Sequence, residues 1–225
     1  MIGRVARYLG PLLNEVVFVG GATVELLLSR PLVYDLRVTR DVDFIMEVMN
    51  LPDYYRFSDR LRNLGFREKV GGDHPICSWT IDNLLVDAMP TNENILGFTN
   101  RWYEDAVLNS LDVQLEKDLS IRLVSPQIFL ATKFEAFRER GDNDLFMSHD
   151  FEDILTLLDG RPEIVDEIQK SKQELQAYLR SAFIEVRKHP DFPDAVTGHF
   201  PGNPVSNARI VELMESINTI VGEEE

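Results

Sequence analysis

Three apolar segments carry the polar residues that most limit how this chain can fold. Val17-Phe18-Val19 runs into Gly20-Gly21, Val42-Asp43-Phe44-Ile45-Met46 is preceded by Asp41, and Leu84-Leu85-Val86-Asp87-Ala88 holds one further acid. Short apolar runs bounded by turn residues read as strands buried in a sheet. In an extended chain residues i and i+2 point to the same face, so Asp41 and Asp43 project together. A neighbouring strand could place Asp87 beside them. Three carboxylates on one face repel unless cations hold them together, and such a set suits a magnesium site for phosphoryl chemistry.

The rest of the chain predicts two textures. The first is a sheet-containing part: a helix over 2–14, a strand over 15–20, a helix over 22–29 after the glycine pair, a loop to Arg40, a strand over 42–47 and a helix over 53–63 stopped by Gly65. Strands over 66–70, 76–81 and 84–88 follow, the last two joined by a tight turn at Asp82-Asn83, and a hairpin over 113–115 and 120–124 ends it. From Ser125-Pro126, a good cap and first helical residue, the pattern is helical. Ser148 caps a helix ending at Gly160, Pro162 opens a long helix to Lys188, and 189–206, with four prolines, reads as an irregular loop. A last helix over 207–221 runs into an acidic tail. The expected architecture is α+β, with a mixed β-sheet N-terminal lobe over 1–124 and a helical C-terminal lobe over 125–225.

The formal net charge is -15, and it is uneven. Residues 1–72 hold ten Lys/Arg against nine Asp/Glu, and the remainder thirteen against twenty-nine. That balance opposes nonspecific nucleic-acid binding. Arg56, Arg60, Arg62, Arg67 and Lys69 form the one basic cluster, which fits either an RNA-facing patch or a solvated helix face. The single cysteine, Cys77, rules out an internal disulfide and reads as a packing residue. Four histidines and one cysteine, scattered, make no zinc site. No apolar run approaches the ~20 residues of a membrane helix, and the N-terminus lacks a leader pattern, so a cytoplasmic location is expected.

The order Gly-Gly, Asp-x-Asp, then a third Asp on a later strand resembles the nucleotidyltransferase fold of the DNA polymerase beta superfamily. Arg37-Val38-Thr39-Arg40-Asp41-Val42-Asp43, Val86-Asp87-Ala88-Met89-Pro90, Ala131-Thr132-Lys133-Phe134-Glu135-Ala136-Phe137-Arg138 and Ser148-His149-Asp150-Phe151-Glu152-Asp153-Ile154 are similar to motifs of the AbiEii/AbiGii-type nucleotidyltransferase toxins. The resemblance spans about residues 15–160. It implies a transferase that moves a nucleoside monophosphate from an NTP to an acceptor hydroxyl, with Mg2+ held by Asp41, Asp43 and Asp87. It implies a nucleotide site of Gly20, Gly21, Thr23, Arg40, Lys133 and Asp150, completed by the helical lobe. It also implies a toxin role with an antitoxin partner and RNA, such as a tRNA 3′ end, as acceptor. A protein or small-molecule acceptor, or a noncatalytic nucleotide-binding regulator, remains open on the same residues.

Overall fold

The computed structural model describes residues 1–48, 50–69, 76–97, 99–140 and 144–222. The chain divides into two compact units, one of Met1–Thr23 with Val38–Ser125 and one of Val24–Arg37 with Pro126–Glu225. The expected boundary at 124 falls one residue from the break at Ser125. The segment 24–37, placed with the sheet lobe by sequence order, groups with the helices instead.

The first unit is built on a seven-stranded mixed sheet. Its strands are β1 (Val16–Val19), β2 (Asp41–Met46), β3 (Arg67–Glu68), β4 (Ser78–Ile81), β5 (Leu84–Pro90), β6 (Leu111–Glu116) and β7 (Leu119–Leu123), in the order β3-β4-β5-β2-β1-β7-β6. β2 runs antiparallel to β1 and parallel to β5. β1 is buried throughout, and Phe18 packs edge-on against its cross-strand partner Phe44 with ring centroids 6.2 Å apart. Asp82 and Asn83 both adopt positive φ, 46° and 61°, which gives the β4–β5 hairpin its two-residue turn. Strand β3 is shorter than the expected 66–70; Val70 lies outside the described residues.

The helices of this unit are α1 (Ile2–Leu9), α3 (Leu51–Asn63), α4 (Glu93–Leu96) and α5 (Tyr103–Leu108). The helix expected over 2–14 tightens to a 3-10 turn over Gly10–Glu15, because Gly10 takes φ 49° and Pro11 removes a backbone donor. α3 begins two residues early, where the Asn50 side chain accepts from the Asp53 N–H at 3.0 Å, and Gly65 with φ 92° follows its end. α4 and α5 are additions that no periodicity announced.

The second unit holds α2 (Val24–Leu27), α6 (Pro126–Arg140), α7 (His149–Gly160), α8 (Ile164–Gln169), α9 (Gln173–Arg187), α10 (Phe192–Gly198) and α11 (Pro204–Val221). The chain after α2 is tied down when the Ser29 and Arg30 N–H groups donate to the Gly160 carbonyl, at 2.9 and 3.1 Å. The long helix expected over 162–188 breaks at 170–172. There the Ser171 hydroxyl donates to the Ile168 carbonyl at 2.6 Å, and the Gln176 amide takes the Gln169 and Ser171 carbonyls, so polar side chains replace helix bonds. The proline-rich 189–206 contains α10, whose Pro193 lies in its first turn where a missing N–H costs little.

Within this unit the Tyr34 hydroxyl and His199 Nε2 share a hydrogen bond at 2.8 Å. Burial holds His199 down at about 4, against the opposing pull of Asp159 and Asp153, and burial likewise pushes Tyr34 up. A histidine depressed by folding stabilises the native state while neutral. That contribution is full above the unfolded value near 6.5 and is lost as pH falls toward 4. Urea unfolding between pH 7 and pH 4 should show wild type losing about 2 kcal/mol relative to His199→Gln. Parallel curves for the two proteins would contradict this.

A candidate metal centre on strands β2 and β5

Parallel pairing sets Asp43 opposite Asp87 and Asp41 opposite Leu85, so the two acids of β2 and the one of β5 share a sheet face. One carboxylate oxygen from each of Asp41, Asp43 and Asp87 lies within 4.8 Å of the others. All three side chains are half-buried, which leaves the cluster open to solvent or to a ligand. Val42 and Phe44, on the opposite face of β2, are fully buried and anchor the strand.

Gly20 closes the other side. Antiparallel pairing places Val19 opposite Asp43, and the next residue, Gly20, turns with φ 76°. A Cβ there would meet Asp43 Oδ2 at 1.8 Å. The Gly20 carbonyl accepts from the Thr23 hydroxyl at 2.7 Å and from the Thr23 N–H at 3.1 Å. Thr23 is therefore fully buried and spends its hydroxyl on the turn, whereas the sequence suggested a phosphate donor. Gly21 opens a 3-10 turn over Gly21–Thr23 that leads into the four-residue α2. Elements this short carry little of the dipole expected of a helix over 22–29.

Asp87 has a partner that the motif reading overlooked. Ser78, 1% exposed, donates its hydroxyl to Asp87 Oδ1 at 2.5 Å. The signal was available: a two-residue turn at Asp82-Asn83 pairs Ile81 with Leu84, and counting outward pairs Ser78 with Asp87. Cys77 beside it is buried, with Sγ 3.1 Å from Met89 Sδ. Burial, with Asp87 adding to it, pushes the Cys77 thiol up to about 12. It is a protonated packing residue, with no nucleophilic thiolate to offer.

Arg40 is exposed and makes no ion pair among the described residues. The basic cluster of α3 is largely neutralised: Arg56 pairs with Asp53, Arg60 with Glu15, and Arg62 with both Asp59 and Glu68. An RNA-facing positive field from this stretch is correspondingly weak.

The helical unit brings Lys133 and Asp150 together. Lys133 on α6 is buried, and its ammonium lies 3.0 Å from Asp150 Oδ1 and 2.7 Å from Asp153 Oδ2 on α7. Arg140 Nε reaches Asp150 Oδ2 at 2.9 Å, and Arg37 reaches Asp153 at 3.1 Å. Burial opposes the charge on Lys133, but Asp153 and Asp150 outweigh it and hold the ammonium above its ordinary value. Burial likewise works against charge on Asp150, and Arg140 with Lys133 overcomes it, keeping the carboxyl below its usual range. Lys133 thus serves as the cation of an internal network, where the resemblance implied a nucleotide-binding side chain.

No family model matches the chain, and no curated protein matches it. Among the described residues no helix is long and apolar enough to cross a membrane.

Proposed function

We propose that the chain is a magnesium-dependent nucleotidyltransferase with its cation site on β2 and β5. The observation that carries the reading is the register pairing of Asp43 with Asp87, which with Asp41 gathers three carboxylates within 4.8 Å on one half-buried face. The donor set fits magnesium, which favours a few carboxylate oxygens completed by phosphate oxygens and water. The bare Gly20 beside Asp43 supports the fit, since any Cβ would fill the cradle. Bound there, Mg2+ would supply charge neutralisation for the triphosphate and acidify an attacking hydroxyl.

Asp41 and Asp43 would hold the divalent cation against the phosphates of an NTP, and the Gly20-Gly21 turn lets its backbone approach the phosphates. A carboxylate oxygen of Asp87 is suited to take the proton of the acceptor hydroxyl. As the acceptor's oxygen bonds to the α-phosphorus, its proton passes to Asp87, the α–β bridging P–O bond breaks and pyrophosphate departs with the electron pair.

RNA as acceptor, and the toxin role with an antitoxin, rest on the motif resemblance. The net charge of -15 and the ion pairing of Arg56, Arg60 and Arg62 favour a second reading, in which the acceptor hydroxyl belongs to a protein or a small molecule. Incubation with α-labelled NTPs, Mg2+ and either total RNA or a protein and metabolite extract tests both. Label in RNA supports the first and label in protein or metabolite the second. NTP binding without pyrophosphate release in either mixture would leave a regulator in place of an enzyme and overturn the proposal.

A further inference from the structure

We propose that Ser78 is a positioning residue for the divalent-cation site: its hydroxyl holds Asp87 in the inward-facing orientation that receives the cation. The inference rests on the metal-site reading given above and extends it to a residue outside the acidic motifs.

The hydroxyl is all but fully buried, and its hydrogen bond to Asp87 Oδ1 is short, at 2.5 Å. An ionised carboxylate can only accept, so the proton on that bond belongs to Ser78. Such charge-assisted O–H···O⁻ bonds are among the stronger ones in proteins. The setting gives the bond a task. Three carboxylates whose oxygens lie within 4.8 Å of each other repel before a cation arrives, and the side chains find relief by swinging outward. Gly20 packs against Asp43 and limits its movement on the β1 side. Ser78 does the corresponding work for Asp87 from the β4 side, and the register Ser78↔Asp87 is fixed by the Asp82-Asn83 turn rather than by any flexible segment. Groups that hydrogen-bond a ligating carboxylate orient it, and losing one lowers metal affinity by roughly 10–100-fold.

The test is Mn2+ titration of the full chain at pH 7, followed by electron paramagnetic resonance, for wild type, Ser78→Ala, Ser78→Thr and Asp41→Asn. Ser78→Ala is expected to weaken Mn2+ binding at least about tenfold, because Asp87 loses the donor that orients it. Ser78→Thr keeps the hydroxyl and should restore most of that affinity, which a merely structural serine would not require. If alanine lowers stability enough to blur the titration, Ser78→Cys keeps the volume with a weaker donor on a sulfur that Mn2+ disfavours, and it should show the same weakening. Wild-type affinity in Ser78→Ala or Ser78→Cys, with binding lost in Asp41→Asn, would overturn the role of Ser78 and leave the cation site standing. Absence of Mn2+ binding in wild type would overturn both.

Discussion

Gly20→Ala is expected to lose about 3 kcal/mol or more of stability and, on the proposed function, to abolish nucleotidyl transfer. Two effects add. The φ of 76° is a left-handed conformation that costs an L side chain roughly 1–2 kcal/mol. The new Cβ would also stand 1.8 Å from Asp43 Oδ2, 2.7 Å from its Cγ and 2.9 Å from its Cβ. The clash therefore reaches the root of the side chain, and rotating the carboxylate cannot relieve it. Asp43 lies on β2 between β1 and β5, so its backbone is pinned from both sides. Forcing extra volume into such a place costs about 1–3 kcal/mol. Gly97→Ala is the control: it is left-handed at φ 81°, but nothing lies within 4 Å of the added atom, so only the conformational cost remains. Urea unfolding of the two variants should separate them by about 2 kcal/mol. Equal losses would show that Asp43 does not abut Gly20.

Asp41→Asn moves stability and activity in opposite directions. The Asp41 side chain makes no hydrogen bond or ion pair among the described residues, so amidation removes repulsion and no partner. In chelator and low salt the variant should gain about 1 kcal/mol, which for a chain of this size raises Tm by roughly 2–4 °C. Transfer from an NTP should fall at least about 10³-fold, because several kcal/mol of charge stabilisation go with the lost cation ligand. The stabilisation of wild type by added Mg2+ should shrink in the same variant. A variant that melts lower in chelator, or that transfers label at the wild-type rate, contradicts this reading of the cluster.

The local devices were legible in the sequence. The shared face of Asp41 and Asp43 follows from strand periodicity, the end of α3 from Gly65, the β4–β5 turn from Asp82-Asn83, and the α7 start from Ser148, whose hydroxyl accepts from the Phe151 N–H. What stayed hidden depended on distant partners. Parallel pairing of β2 with β5 joins segments some forty residues apart, and no periodicity encodes it. Segment 24–37 reads as part of the sheet lobe until Ser29 and Arg30 are seen bonding to Gly160. The resemblance implied that Lys133 and Asp150 serve a nucleotide, and only their spatial placement shows the ammonium paired internally with Asp150 and Asp153. The arginines of α3 looked like a positive patch because their acids are spread from Glu15 to Glu68. The seven-stranded mixed sheet and the helical second unit agree with an α+β reading.

The most direct test of the central claim is anomalous diffraction from crystals soaked with Mn2+ and a nonhydrolysable NTP. A manganese peak touching the carboxylates of Asp41, Asp43 and Asp87, with the phosphates beside Gly20, is the expected result. Manganese bound elsewhere, or an NTP seated away from these three acids, would contradict it.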